Sequence, residues 1–287
     1  MALSPEAAES RTVIKILAGS HVHGLNIATS DQDYEAVVVE PLAEMVKLGE
    51  SWDETERIGV IGADGARLPD TKYYSLRKWC RMAAKGNPNF ILMLFAPLSH
   101  TRIRTAVGAQ LQDMKDAFLS RQAIKSHLGY MKGQRNRMVN HQTTWTQSFD
   151  PNHDPTKQFG GGHGRGKPRF DLIEKYGYDT KFGMHLLRLG IQGVELATTG
   201  YVYLPMTEVN RDNLLAVRRG DVPLVSVLRW AEELEERMKA AFDTSPLPEH
   251  PDYARIEDWM RETYIRVWAA EQALTDAMAT MADLRVQ

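Results

Sequence analysis

Short apolar runs separated by polar turns occupy the first hundred residues and predict a small sheet. The apolar run at residues 13–17, interrupted only by Lys15, predicts a buried strand. Residues 31–40 form a second strand, because Val37, Val38 and Val39 follow one another. Residues 70–76 predict a third strand. A helix follows over about 75–84 and ends before Gly86-Asn87-Pro88.

Helical spacing dominates the chain from about residue 105 onward. Leu111, Met114 and Phe118 recur on one helical face. Asp179 is a predicted N-cap, and long amphipathic helices are predicted over 223–242 and 253–284. The pattern therefore predicts an α+β protein with a small mixed-sheet domain at 1–104 and an all-helical domain at 105–287.

Several connecting segments are assigned less specifically. Residues 19–29 predict a turn with one helical turn, and residues 41–57 contain a short amphipathic segment. The glycines and proline of 59–69 indicate a hairpin or a loop. Residues 89–95 form either a buried helix or a strand, since periodicity does not separate the two.

Composition favours a soluble cytoplasmic protein. The 287 residues are 43% hydrophobic with a net charge of −2, so no overall basic field attracts nucleic acid, although a local basic patch is compatible with these values. Cys80 is the single cysteine, which excludes an intramolecular disulfide. The apolar run at 90–98 is too short to span a bilayer. The oligomeric state is left open.

Two short motifs are candidates for a functional site, Gly19-Ser20 and Asp31-Gln32-Asp33. Glycine permits close backbone approach, and the serine hydroxyl with the following amides is able to donate to phosphate oxygens. On a strand, Asp31 and Asp33 share one face, where a hard divalent cation would relieve their repulsion. The simpler alternatives are an ordinary strand-to-loop turn and a solvated Asp-x-Asp turn.

These motifs, in order with three others, resemble the DNA polymerase β-like nucleotidyltransferase superfamily. The resemblance is closest to the predicted nucleotidyltransferases associated with RNA ligases, and it spans about residues 13–240. The other matching segments are Tyr74-Ser75-Leu76-Arg77-Lys78-Trp79, Lys85-Gly86-Asn87-Pro88-Asn89, and Tyr178-Asp179-Thr180-Lys181 followed by Met184-His185-Leu186-Leu187-Arg188-Leu189.

The resemblance implies a polymerase β-like palm domain and a third metal-binding carboxylate on a later strand. Asp70 is the candidate, with a turn role as its alternative, and the other acids considered are Asp53, Glu54 and Asp64. The family often has an acid after Asn-Pro, but residues 90–95 contain none.

Basic residues in the helical part are candidates for contact with phosphate. Lys181, His185 and Arg188 are spaced to share one helical face, which suits contact with a triphosphate. The alternatives are a core position for His185 and an ion pair between Arg188 and Glu195.

Two further basic segments have less specific interpretations. Residues 161–167 have the spacing of a P-loop, but Pro168 occupies the Ser/Thr position and no strand precedes them. The two interpretations are a mobile basic loop, whose phosphate-reaching candidates are His163, Arg165, Lys167 and Arg169, and a disordered surface loop. A basic helix facing nucleic acid or water is predicted from Arg121, Lys125, Lys132, Arg135 and Arg137.

The expected activity is metal-dependent transfer of NMP from an NTP to an acceptor hydroxyl, with release of pyrophosphate. Asp31, Asp33 and Asp70 would hold Mg²⁺ or Mn²⁺, and Gly19, Ser20, Lys181, His185 and Arg188 would bind the nucleotide. ATP is the favoured nucleotide, and an RNA or tRNA end is the favoured acceptor. The alternatives are nucleotidylation (AMPylation) of a partner protein such as a toxin, and a non-catalytic module that binds nucleotide or nucleic acid.

Overall fold

The computed structural model describes residues 3–62, 64–147 and 169–286, and it is about 60% helical with one five-stranded mixed sheet. This agrees with the α+β class predicted from the sequence. The chain divides into two compact units, one of residues 1–119 with 250–287 and the other of residues 120–249. These units begin and end elsewhere than the predicted domains at 1–104 and 105–287.

The strands of the sheet are β1 (Thr12–Leu17), β2 (Asp33–Val38), β3 (Glu54–Arg57), β4 (Asp70–Ser75) and β5 (Thr101–Arg104). They lie in the order β3-β4-β2-β1-β5. The pair β2–β4 is parallel, whereas β1–β2, β1–β5 and β3–β4 are antiparallel. The sequence pattern predicts β1, β2 and β4, but it misses β3 and β5, the two edge strands.

The helices of the first unit lie before, between and after the strands. They are α1 (Pro5–Ser10), α2 (Gly19–Val22), α3 (Leu42–Met45), α4 (Leu76–Ala84), α5 (Pro88–Ile91), α6 (Ala106–Asp113), α7 (Lys115–Phe118) and, from the end of the chain, α13 (Tyr253–Val286). Two 3₁₀ turns cover Leu92–Leu94 and Leu98–His100. Residues 89–95, which the sequence left open between helix and strand, are helical except for the last.

Apolar side chains cover both faces of the sheet. On one face Ala36, Val38 and Tyr73 form a buried cluster with Ala8 of α1 and with Trp52. On the other face Tyr74 lies 4.7 Å from Phe90, measured between ring centroids. This burial on two sides fixes the register of the central strands, because a shift of one residue would turn every side chain to the opposite face.

The second unit is helical. It contains α8 (Arg121–Gln147), α9 (Phe170–Tyr176), α10 (Thr180–Thr199), α11 (Glu208–Arg219) and α12 (Leu224–Phe242). The central helix α10 packs against α8, α11 and α12, and it is buried along most of its length. Asp179 caps α10, as predicted, by accepting hydrogen bonds from the backbone N–H groups of Lys181 and Phe182 at 3.1 Å each.

Candidate active site

The Gly19-Ser20 turn stands directly beside Asp33. Gly19 has φ +61°, in the left-handed region that favours glycine, and it opens the helical turn α2. The N–H of Ala18 donates to the carbonyl oxygen of Asp33 at 2.8 Å. A Cβ atom added to Gly19 would lie 3.6 Å from Oδ2 of Asp33. The backbone of the turn and the carboxylate therefore border the same small space.

Asp70 is the partner of Asp33 across the sheet. Strands β2 and β4 run parallel, and their register pairs Asp33 with Asp70 at the first residue of each strand. Side chains paired in this way leave the sheet on the same face. Asp33 is exposed and Asp70 is half-buried. The tertiary structure thus brings together two aspartates that lie 37 positions apart in the chain.

The hairpin before β4 holds the Asp70 carboxylate. Its Oδ1 accepts a hydrogen bond from the N–H of Gly59 at 2.9 Å, and its Oδ2 lies 3.2 Å from Nη2 of Arg67. The antiparallel bridge between Ile61 and Arg67 favours the hairpin over the loop among the two alternatives predicted for this segment. Arg67 therefore places positive charge beside one oxygen of the Asp70 carboxylate.

Asp31 is placed differently from the prediction. Strand β2 begins at Asp33, so Asp31 lies in the loop before it and is exposed. The strand alternation used to place Asp31 and Asp33 on one face does not extend to residue 31, so the joint role of the two carboxylates stays a prediction. The other acids considered for the third carboxylate have local partners. Asp53 pairs with Arg77 and Arg81, Glu54 with Lys78, and Asp64 accepts from the N–H of Ala66.

Glu35 is an acidic residue at the site that the sequence analysis did not identify. It lies two residues after Asp33 on β2, so its side chain leaves the same face, and its register partner on β4 is Lys72. Burial raises the pKa of Glu35 to about 7, Lys72 opposes the increase, and the charge of Asp33 adds to it. The alternation Asp33-x-Glu35 within one predicted strand is the sequence signal that could have found it.

The carboxylates offer the oxygen ligands that a hard divalent cation prefers. Asp33 and Asp70 provide two carboxylates from adjoining strands, and Asp31 lies two residues upstream. Within the ranges that the structure describes, no three His, Cys, Asp or Glu side chains are arranged together as a metal-binding group. The donor chemistry fits Mg²⁺ or Mn²⁺, and the Asp70 carboxylate would have to exchange its contact with Arg67 for one with the ion.

The predicted phosphate-binding residues of α10 lie in the second unit. Burial lowers the pKa of His185 to about 3, and the charges of Arg188 and Lys181 add to this, so the imidazole is neutral at pH 7. Burial lowers the pKa of Arg188 to about 10, so the guanidinium stays charged at pH 7. Nη1 of Arg188 donates to Gln192 at 3.3 Å, and Glu195 accepts from the N–H of Tyr203 at 3.2 Å.

Three of the five basic residues predicted on α8 contact other side chains of the second unit, and Lys132 and Arg137 are exposed. Arg135 pairs with Glu232 at 2.7 Å, and the charged groups of Arg121 and Lys125 lie 6.0 and 5.3 Å from the centroid of the Phe242 ring. The predicted basic loop at 161–167 lies outside the described residues. Arg169, at its end, pairs with the buried Asp179.

Comparison with known families decides the broader identity. Residues 2–262 match the family described as RlaP, the RNA repair pathway DNA polymerase beta family. The chain belongs to this family. No curated protein matches the chain.

Membership of the RNA repair pathway DNA polymerase beta family confirms the resemblance found from the motifs, and it indicates a nucleotidyltransferase in an RNA repair context. The match covers both the carboxylate-bearing sheet and helix α10. Among the described residues, no helix combines the length and the apolar character needed to cross a bilayer.

Proposed function

We propose that this protein is a metal-dependent nucleotidyltransferase that transfers NMP from an NTP, with ATP favoured, to a hydroxyl on RNA or tRNA. The observation that carries the proposal is the pairing of Asp33 with Asp70 on parallel strands, with the Gly19 turn against Asp33. A cytoplasmic location is part of the proposal, since the single cysteine, Cys80, is free and buried.

In the proposed reaction the acceptor oxygen attacks the α-phosphorus and the bond to the β-phosphate oxygen breaks. Pyrophosphate leaves, and the proton of the acceptor hydroxyl passes to Asp70 or to water. Mg²⁺ or Mn²⁺ held by Asp31, Asp33 and Asp70 would neutralise charge on the attacking and leaving oxygens. Gly19 and Ser20 would donate to the triphosphate. Lys181, His185 and Arg188 of the second unit are proposed as further nucleotide-binding residues.

The test is transfer of label from each α-³²P-NTP to separate pools of tRNA, total RNA and protein, with Mg²⁺ or Mn²⁺. We expect labelled RNA with the wild type and at least a 100-fold loss with Asp33→Asn, because that variant keeps the shape and removes the charge. Label on protein alone would favour AMPylation. A folded wild type that labels no pool would favour a non-catalytic nucleotide-binding module.

A further inference from the structure

The connection between β3 and β4 exposes three large aliphatic side chains beside the candidate carboxylates. Ile58, Val60 and Ile61 are 59%, 40% and 61% exposed. We call these three residues the apolar segment. Isolated hydrophobic side chains are ordinary on a protein surface, whereas several close together are typical of a surface that contacts a ligand or a partner. Three within four positions therefore indicate a contact surface.

The apolar segment borders the carboxylate of Asp70. The N–H of Gly59, which stands between Ile58 and Val60 in the sequence, donates to Oδ1 of Asp70 at 2.9 Å. The N–H of Leu68 donates to the carbonyl oxygen of Val60 at 2.9 Å, so the two arms of the hairpin are also hydrogen-bonded to each other. Two members of the apolar segment are therefore direct neighbours of a residue that contacts Asp70.

Ile61 lies on the side of the hairpin that faces Asp70. Its partner across the antiparallel bridge is Arg67, and partners in an antiparallel pair carry their side chains on the same face. The Arg67 side chain reaches Asp70, because its Nη2 lies 3.2 Å from Oδ2 of the carboxylate. The face shared by Ile61 and Arg67 is thus turned towards Asp70. Arg67 is committed to that carboxylate, which leaves Ile61 as the member of this face for contact with a substrate.

The candidate carboxylates separate the apolar segment from the candidate phosphate-binding turn. Asp70 and Asp33 begin the neighbouring strands β4 and β2. The turn that begins at Gly19 follows β1 and borders Asp33, whereas the apolar segment precedes β4 and borders Asp70. An in-line displacement places the attacking and the leaving oxygen on opposite sides of the phosphorus. With the triphosphate at Gly19, the acceptor would approach from the side of the apolar segment.

We propose that the apolar segment binds the terminal nucleoside of the acceptor RNA, with Ile61 packed against one face of its base. The identity of the acceptor rests on the proposed function, and the RNA repair context of the family favours RNA over a partner protein. Nucleobases offer flat apolar faces, and aliphatic side chains pack against such faces in nucleic-acid complexes. This contact positions the acceptor hydroxyl without reading the hydrogen-bonding edges of the base.

The test measures binding of a fluorescently labelled RNA to the full chain by anisotropy, in EDTA so that binding needs neither metal nor transfer. We expect Ile61→Thr to weaken binding about fivefold or more, because threonine keeps the branched shape and removes apolar surface. The matched control is Ile265→Thr, since Ile265 belongs to the same unit, lies on α13 and is also 61% exposed. RNA binding by this control should stay within about twofold of the wild type.

Ile61→Leu separates a lost apolar contact from a change in the hairpin itself. Leucine keeps the apolar area, so RNA binding should stay within about twofold of the wild type. Circular dichroism and the thermal midpoint of each variant are compared with the wild type. Equal RNA binding by Ile61→Thr and Ile265→Thr, with both folded, would overturn the proposal. So would a wild type that binds no RNA.

A second arm tests the contact with the terminal base. The same proteins are titrated with RNAs that are abasic at the 3′-terminal or at the 5′-terminal nucleotide. We expect one of these RNAs to bind the wild type more weakly and to bind Ile61→Thr as tightly as the wild type, because the packing partner of residue 61 has been removed. An effect of Ile61→Thr that is unchanged on both abasic RNAs would overturn the assignment to the terminal base.

Label transfer separates the RNA contact from the proposed function. We expect Ile61→Thr to raise the KM for RNA about fivefold and to leave kcat and the KM for the NTP within about twofold. A change in the KM for the NTP alone would overturn the proposed contact. A wild type whose RNA binding depends on Ile61 but that transfers no label would contradict the proposed function and retain the contact. Label on protein only, with a KM for that protein raised by Ile61→Thr, would overturn RNA as the occupant.

Discussion

At the scale of single residues, Asp70 is distinguished from Asp53, Glu54 and Asp64 by its position. It is the first residue of β4 and is paired with Asp33 across the sheet. We predict that Asp70→Asn lowers nucleotide transfer at least 100-fold, since it removes one of two adjoining carboxylates while keeping the shape that accepts the Gly59 N–H. Asp64→Asn is the matched control. It lies in the same hairpin and keeps the oxygen that accepts from Ala66, so its transfer rate should stay near that of the wild type.

Single-turnover rates of the two variants at saturating metal check this prediction. A low rate for Asp64→Asn together with a normal rate for Asp70→Asn would move the third carboxylate to residue 64. Transfer rates near that of the wild type for both variants would assign the third carboxylate to Glu35 or to another of the remaining acids.

His127 gives a residue-scale prediction about pH. Its side chain is fully buried and Nδ1–H donates to the carbonyl oxygen of Ala123 at 2.8 Å. Burial lowers its pKa to about 4, so protonation occurs more readily in the unfolded chain. The stability that neutral His127 supports is complete above about pH 6.5 and is lost as the pH falls towards 4.

The measurement is urea unfolding at pH 8 and pH 5 for the wild type and for His127→Asn. We expect the free energy of unfolding of the wild type to fall by about 2 kcal/mol more than that of the variant between pH 8 and pH 5. Over the 1.5 pH units below the unfolded-state pKa of about 6.5, only the unfolded chain protonates His127, which corresponds to about that free energy. Identical pH dependence in both proteins would contradict a depressed pKa for His127.

At the scale of secondary structure elements, the caps of α10 and α11 offer a comparison within one unit. Asp179 is fully buried, accepts two backbone N–H groups of α10 and pairs with Arg169. We predict that Asp179→Ala lowers the free energy of unfolding by about 2–4 kcal/mol, the sum of a lost cap and an unpaired guanidinium. Chemical denaturation measures it.

Thr207→Ala is the control for that substitution. Thr207 stands at the same position before α11, but its side chain makes no capping hydrogen bond. Its replacement should change the free energy of unfolding by less than about 0.5 kcal/mol. A comparable loss in the two variants would mean that the cap hydrogen bonds of Asp179 contribute little.

The contact between α6 and β1 depends on a glycine. A Cβ on Gly108 would lie 2.9 Å from Cβ of Ile14 and still nearer to the carbonyl oxygen of Val13, which accepts from Thr105. We predict that Gly108→Ala destabilises the protein by about 2 kcal/mol or more, because the strand backbone has to move. Thermal and urea unfolding measure the change.

Gly129 provides the opposite case. It is exposed in the middle of α8, and a Cβ there would meet nothing within 4 Å. Gly129→Ala should therefore raise the free energy of unfolding by about 0.5–1 kcal/mol through helix propensity alone. If Gly129→Ala destabilised the protein as much as Gly108→Ala, the loss of glycine's backbone freedom would explain both effects. The close approach of α6 to β1 would then not be needed as a cause.

At the scale of the whole molecule, the chain leaves the first unit at residue 119 and returns to it at residue 250. The returning helix α13 buries Ile256 and Tyr264, and Nε1 of Trp268 donates to the carbonyl oxygen of Glu40 at 2.9 Å. The sheet unit is therefore completed by a helix that begins 178 positions after the end of β4.

A truncation experiment tests this completion. Ending the chain after residue 252 should destabilise the first unit by about 3–6 kcal/mol, from the lost burial of two large side chains alone. Ending it after residue 275 is the control, because side chains 276–280 are exposed. Proteolysis and unfolding of the two truncated chains provide the measurement. Equal stability of both would show that α13 is dispensable to the sheet unit.

Local sequence patterns predicted several elements well. The apolar runs predicted β1, β2 and β4, and Asp179 and Gly86-Asn87-Pro88 predicted one helix start and one helix end. Strands β3 and β5 were missed because they are four-residue edge strands whose residues alternate between half-buried and exposed, without a buried apolar run. The sequence pattern predicted that β2 begins at residue 31, two residues too early. Hydrogen bonding with the neighbouring strands begins only at Asp33.

The sequence by itself determined the family, through motifs whose order along the chain is independent of folding, and it determined the residue types of the candidate site. Only the tertiary structure decided that Asp70 stands beside Asp33, because parallel pairing joins strands separated by a crossover. It also decided that Arg169 pairs with Asp179 at the start of α10, that Glu35 shares the face of Asp33, and that α13 completes the sheet unit. Each of these depends on contacts between distant segments, and local propensity contains no information about such contacts.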